Sequence, residues 1–308
     1  MSMSATPKTI AIVGASGKVG YATVQALRDA GGIHVKAILR DGSSQGARLT
    51  RIGCDVAVIA DLADSEALAD AISGSDAVQV ILPPSPQADD PAVEMRGLIE
   101  SIAVALERAR PARVLAISDY GAHVPHDIGM PTMCRAFEER LRRLDGGGGS
   151  HKIFLRSAEH MQNWARIIPA AIESGVLPSF LDPADRLVPT ISAPDLGFIA
   201  AELLLQPLGG SVNGAETVHA EGPRRYSPGD VAAALGELSG REVEVAVVPR
   251  PQWEDVLGRV MPASLAELLI KANDAQNQGG LVDVETDGVV RYGKTELIDA
   301  LRPLIHPN

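Results

Sequence analysis

The sequence predicts an α/β protein, a Rossmann-type doubly wound parallel sheet with a smaller carboxyl-terminal α/β lobe. Three observations carry this. Residues 10–20 pass from an apolar run into glycines spaced three apart, Gly14, Gly17 and Gly20, and a helical pattern begins at once. Short apolar runs then alternate with helix-period segments at roughly 20–35-residue spacing, the rhythm of strand–helix–strand units. The fourth apolar run stops at Pro83-Pro84, which cannot continue a sheet ladder, so the chain leaves the sheet at the carboxyl end of a strand.

Taken in order, residues 10–13 read as the central first strand, and the glycines as the turn into a helix over 19–30. Missing side chains there permit a tight turn and let backbone approach a pyrophosphate, which the first-turn N–H groups and the helix dipole favour. The spacing is G-x-x-G-x-x-G rather than G-x-G-x-x-G, and glycines also occur in ordinary strand-to-helix turns. The cradle expected for a dinucleotide is Gly14, Ser16, Gly17, Lys18, Val19 and Gly20. Residues 34–40 form the second strand, ending at Arg40, where such folds meet the adenosine ribose. Arginine there pairs with a 2′-phosphate and favours NADP (NADPH) over NAD, although Asp41 beside it would offset part of that charge. A third strand over 54–59 precedes Ala60-Asp61-Leu62. Asp61 and Leu62 sit where an adenine-side loop would lie, and a plain turn reads equally well. Asp64 caps a helix over 65–73. The fourth strand, 77–82, places Leu82 and Pro83 at the ligand-binding edge.

A helix over 91–108 leads to a fifth strand, 113–117, ending at Ser118-Asp119-Tyr120. A helix over 132–144, the flexible turn of 145–150 and a sixth strand, 153–156, follow. Beyond these the expected pieces are a helix over 161–173, an extended 187–191, a helix over 196–205 capped by Asp195, and a strand at 216–219. Then come a helix opened by Ser227-Pro228 and closed by Gly240, a strand over 243–248, two helical stretches within 251–275 and a last helix over 294–304. The expected division is a nucleotide domain over 1–157, with 185–220 returning to it, and a substrate lobe of 158–184 and 221–308.

Composition limits the function classes. The 308 residues suffice for a large core, but aromatics are only 3%, so that core must be Ala, Val, Leu and Ile. A formal charge of −11 argues against a nucleic-acid surface. The 2 cysteines, Cys54 and Cys134, form neither a disulfide framework nor a zinc pattern, which fits a reducing cytoplasm. There is no apolar leader over residues 1–9 and no run long enough for a membrane span, so no membrane association is expected.

Five places along the chain resemble the NmrA-like branch of the atypical short-chain dehydrogenase/reductase superfamily. They are the glycine turn, Arg40, Ala60-Asp61-Leu62, Leu155-Arg156…Met161-Gln162-Asn163-Trp164, and Pro194-Asp195-Leu196-Gly197. Ser157 and Gln162 stand where the family has Pro and Glu. The segment from Gly222-Pro223 to Arg241-Glu242-Val243 is also similar to the family's carboxyl lobe. The resemblance implies an NAD(P)(H)-binding Rossmann domain with a small substrate lobe. Its members include quinone and azo-dye reductases, plant isoflavone-type reductases, and non-catalytic cofactor sensors that bind transcription factors. It also implies a place near the nicotinamide for Asn163.

The superfamily's proton relay is missing. Dehydrogenases of this kind use Tyr-x-x-x-Lys, but the residues four after Tyr21, Tyr120, Tyr226 and Tyr292 are Gln25, Val124, Asp230 and Glu296. If Glu138 marks the family's helix Glu, Cys134 and Met130 stand at the Lys and Tyr spacings; if Glu139 does, Arg135 takes the Lys position. Carbonyl reduction needs a proton in concert with the hydride, whereas a quinone-like acceptor can take it later from water. The expected activity is therefore NADP(H)-dependent hydride transfer to a small electrophilic, quinone-like or conjugated acceptor. The alternative is an NADP(H)-binding redox sensor acting through a protein partner. Substrate-side candidates are Tyr120 as proton donor, His123 as general acid, Ser118 toward the carboxamide, and Asn163. Each of the first three also reads as an ordinary strand-end or loop residue. Neither His123 with His126 nor Cys134 has the neighbours that would make a metal site or a reactive thiol. A monomer or homodimer is expected.

Overall fold

The computed structural model describes residues 7–40, 44–59, 61–84, 86, 88–144, 149–207 and 214–306. Asp41, Ala60 and the glycine run of 146–148 therefore lie outside the described residues. The central strand β1 (Thr9–Val13) enters α1 (Lys18–Ala30), and β2 (His34–Leu39), α2 (Ser44–Arg51), β3 (Asp55–Val58) and α3 (Ser65–Ile72) follow. Then come β4 (Ala77–Ile81), α4 (Pro91–Ala109), β5 (Arg113–Asp119), α5 (Met130–Arg142) and β6 (His151–Ser157). The remainder comprises β7 (Glu159–His160), α6 (Ile168–Ser174), β8 (Val176–Ser179), β9 (Thr190–Ile191), α7 (Ala193–Leu205) and β10 (Ala215–Glu221). It ends with α8 (Pro228–Ser239), β11 (Glu244–Val247), α9 (Trp253–Gly258), α10 (Ala263–Asn277), β12 (Val289–Tyr292) and α11 (Leu297–Ile305).

Eight strands make one parallel sheet in the order β12-β10-β6-β5-β4-β1-β2-β3. The order reverses beside β1, which pairs with β2 on one side and β4 on the other, so a crevice opens there at the carboxyl strand ends. The alternation of β1 builds both cores at once. Ile10 and Ile12 face α1 and α7, while Ala11 and Val13 face the layer of α3, α4 and α5. Side chains buried on both faces explain why the strand reads as a continuous apolar run.

Caps hold the helix ends as their residue types suggest. Asp64 accepts from the N–H groups of Glu66 and Ala67. Ser227 and Asp230 form a reciprocal capping box at the start of α8. Asp195 differs from expectation. Helix α7 begins earlier, after Ser192, and the Asp195 carboxylate instead accepts from the backbone N–H groups of Lys294 and Thr295 and the Thr295 hydroxyl. It thereby ties α7 to the carboxyl-terminal chain.

The stretch after residue 160 is not one helix. Pro169 has no N–H to donate to a mid-helix hydrogen bond, and the chain makes a 3-10 turn over Met161–Arg166 before α6. The smaller core gathers Met161, Ile168, Leu177, Val231, Leu235 and Leu301, with β8 and β11 as a short parallel pair. Strand β12, which falls in the stretch expected to lie wholly in the lobe, is placed in the main sheet as its edge beside β10. Among the described residues no helix is long and apolar enough to cross a membrane.

Candidate functional site

The glycine turn shapes the first half of the site. Gly14 has φ +78°, and its N–H donates to the Ile38 carbonyl at 3.1 Å. A Cβ on Gly20 would lie 2.3 Å from the Gly14 carbonyl oxygen, so any larger residue would push α1 off the strand. The turn walls a cavity of about 400 Å³. Of the expected cradle, Gly14, Ser16, Gly17, Lys18, Val19 and Gly20 all line it. So do Arg40, Leu62 and Pro83, which brings the end of β2 and the exit of β4 to the same space.

Two expected contacts are placed elsewhere. Asp61 does not line this cavity; its Oδ1 accepts from the Ala63 N–H at 2.9 Å and closes its own turn. Leu82 lines a second cavity instead. Several lining residues escaped the sequence reading, among them a buried polar one. Gln79, on β4, is buried and its Oε1 has no hydrogen-bond partner among the described residues. A polar residue between Val78 and Val80 in an apolar strand is the signal that could have found it.

The second cavity, about 310 Å³, adjoins the first, and Ile81, His160 and Asn163 line both. Its floor is the end of β5, its sides come from α5 and the chain after β6, and α10 covers it with Leu269, Asn273 and Gln276. Asn163 stands at the junction of the two cavities. Gln162 holds the wall behind it: its Oε1 accepts from the Ala193 N–H at 2.9 Å and its Nε2 donates to Ser192 at 3.2 Å. Met161 belongs to the lobe core and Trp164 packs against it. His160 places Nε2 3.1 Å from the Ser157 hydroxyl, and burial with the nearby Lys18 charge pushes its imidazole down to about 4. It is neutral at pH 7.

The expected catalytic groups need correction. Tyr120 is 1% exposed, with its ring edge-on to His219 at 5.1 Å. Its hydroxyl is buried and has no hydrogen-bond partner among the described residues, and burial with the Glu221 charge raises the phenol. It is not placed to give a proton to a ligand. The His123 Nδ1 sits 2.9 Å from the Tyr120 carbonyl, and the residue lines neither cavity. Ser118 lines the second cavity, but its hydroxyl donates to Glu138 at 2.6 Å. Glu138 also receives Arg156 on both oxygens, Nε at 2.9 Å and the terminal nitrogen at 2.8 Å. Burial would push that carboxyl up, but Arg156, Ser118 and Arg142 bring it below its ordinary value. The remaining face of Arg156 pairs with Glu285.

Met130 and Cys134, at the Tyr and Lys spacings before Glu138, both line the second cavity. The Cys134 thiol is raised well above its ordinary value, by burial first and then by Asp119 and Glu138, so it is no nucleophile at neutral pH. Two carboxyls to which the sequence assigns no role also line this space. Burial pushes Asp119 up to about 6, and desolvation, then the Asp119 charge, raises Glu159, although that residue as a whole keeps exposed surface. Among the described lining residues there is no Lys or Arg.

Residues 14–143 match a family model described as NAD(P)H-binding. No curated relative matches the chain by sequence. The fold is shared with solved structures. The NADPH-dependent quinone oxidoreductase of Escherichia coli is 22% identical, with 96% of this chain and 100% of that one covered and a TM-score of 0.74. The triphenylmethane reductase of Citrobacter sp. is 20% identical over 96% and 99% of the two chains, with a TM-score of 0.75. NmrA, a negative transcriptional regulator solved with NADP, is 18% identical over 97% and 91%, with a TM-score of 0.69. Residues 14–143 are thus similar to NAD(P)H-binding domains, and over nearly its whole length the chain shares the fold of NmrA.

Proposed function

We propose that this protein is an NADP(H)-dependent reductase that passes hydride to a small electrophilic acceptor, quinone-like or otherwise conjugated. One observation carries the reading: the cofactor-sized cavity at the glycine turn opens, at His160 and Asn163, into a second walled cavity. A pure sensor needs only the first. When bound, NAD(P)H supplies the hydride. The protein's own part is to bind, orient and exclude water: the glycine turn receives the pyrophosphate, Arg40 the 2′-phosphate, and Asn163 with neutral His160 borders the reacting end. The reading is supported by the shared fold of two reductases, one of quinones and one of triphenylmethane dyes.

The sensor reading has its own support. The one tyrosine of the second cavity is sealed, Met130 and Cys134 replace a relay, and NmrA shares the fold. NADPH oxidation followed at 340 nm with quinones, enones and azo dyes separates the two. Tight NADPH binding without turnover of any acceptor would leave only the sensor.

A further inference from the structure

The second cavity is acidic, and its acids are not equivalent. Asp119 closes strand β5, a rigid element, and its Oδ1 accepts from the Gly121 N–H at 2.7 Å. Its Oδ2 has no hydrogen-bond partner among the described residues. Ser157, its register partner on β6, leads within two residues to Glu159, an exposed residue on the same cavity wall. The other candidate acids fail on placement. The Tyr120 hydroxyl is buried, His160 is neutral against Ser157, and the Ser118 hydroxyl is committed to Glu138. The charged and titratable groups around Asp119 are Arg156, Glu138, His123, Glu159 and Cys134. The only strong cation there, Arg156, is engaged by Glu138 and Glu285.

We propose that Asp119 is the acid of the acceptor cavity, giving its proton to the oxygen that gains charge when the acceptor is reduced, with Glu159 conducting its replacement from solvent. This rests on the reductase reading. An acceptor such as a quinone that takes up a hydride becomes an oxyanion. The Asp119 O–H bond breaks, its proton forms the new O–H bond on the acceptor, and the electron pair stays on the Asp119 carboxylate. A solvent proton passing the exposed Glu159 restores the acid. The superfamily's missing tyrosine is replaced here by a carboxyl group at the cavity wall whose desolvation raises its pKa to about 6, so that it holds its proton below that pH.

Two measurements test it. The first needs no turnover: infrared difference spectra of the cofactor-free protein between pH 5 and pH 8 show a protonated carboxyl band that Asp119→Asn removes. The second compares two acceptors. A 1,4-benzoquinone needs a proton after hydride transfer, whereas N-methylacridinium becomes neutral and needs none. Asp119→Asn lowers kcat for the quinone at least about ten-fold while kcat for the acridinium changes by less than about three-fold, and Glu159→Gln weakens the quinone reaction in the same direction. Equal losses with both acceptors, or none with either, overturn the proposal while leaving a reductase. Wild-type protein that reduces neither acceptor overturns the reductase reading, and the proton donor with it.

Discussion

Replacing Asp119 by Asn changes stability in a way that depends on pH, with a sign fixed by the direction of its shift. The folded carboxyl titrates near 6 because burial disfavours its charge, against an ordinary value of 3.8. Below about pH 4 the group is protonated in both folded and unfolded chains and costs nothing. As pH rises from 4 to 6 the unfolded chain releases its proton first, so stability falls, and above pH 6 the whole cost is present. A shift of about two units corresponds to at most ~3 kcal/mol. Water in the open cavity lowers the expected figure to roughly 1–2 kcal/mol. Asn keeps an oxygen to accept from Gly121 and carries no charge. The variant is therefore more stable than wild type at pH 8, by a few degrees in Tm, and equal to it at pH 4. Urea unfolding of both proteins at half-unit steps from pH 4 to 8 measures the difference. Parallel curves, or a variant weaker at pH 8, would refute the account of Asp119 as a desolvated acid.

Other outcomes follow from the same geometry. Gly20→Ala drives a methyl group into the Gly14 carbonyl, so NADPH no longer raises the thermal midpoint of the variant at millimolar concentration. Arg40→Ala removes a charge-assisted contact worth about 1.5–3 kcal/mol, weakening NADPH roughly 10–100-fold while NADH affinity is nearly unchanged, as calorimetric titration would report. Equal losses for both cofactors would count against a 2′-phosphate contact. Glu138→Ala strands Arg156 and the Ser118 hydroxyl and costs about 3–5 kcal/mol in chemical unfolding. Cys134 reacts with a disulfide reagent at pH 7.5 far more slowly than a free thiol, because its raised pKa leaves little thiolate.

The parts legible in the sequence were those set by local rules. The alternation of β1, the glycine turn, the Asp64 cap and the Ser227 box depend on residues within a few positions of one another. What escaped depends on distant partners. Asp195 looks like a helix cap until residues about a hundred positions later supply the N–H groups it accepts. Strand β12 is short and mostly exposed at the sheet edge, so no apolar alternation announces it. Tyr120 reads as a loop tyrosine at a ligand edge, and only the pairing of β10 beside β6 brings His219 against its ring. Helix α2 is short and polar, with few apolar residues to mark it.

The opposite behaviour of Glu138 and Asp119 explains how the site can lack the usual relay and still hold a usable proton. Both carboxyls are desolvated near the end of β5, and both feel Arg156. Glu138 wins the contest because strand β6 aims the Arg156 fork squarely at it, two hydrogen bonds below 3 Å, with Ser118 as a third donor. Asp119 receives only one backbone N–H and a guanidinium already neutralised by Glu138 and Glu285. Had Arg156 faced Asp119, the cavity would present a fixed carboxylate that repels the anion formed by reduction. Ser118 therefore serves the chemistry through Glu138 rather than by touching a cofactor: committing its hydroxyl there helps keep the guanidinium away from the one carboxyl that has to remain an acid.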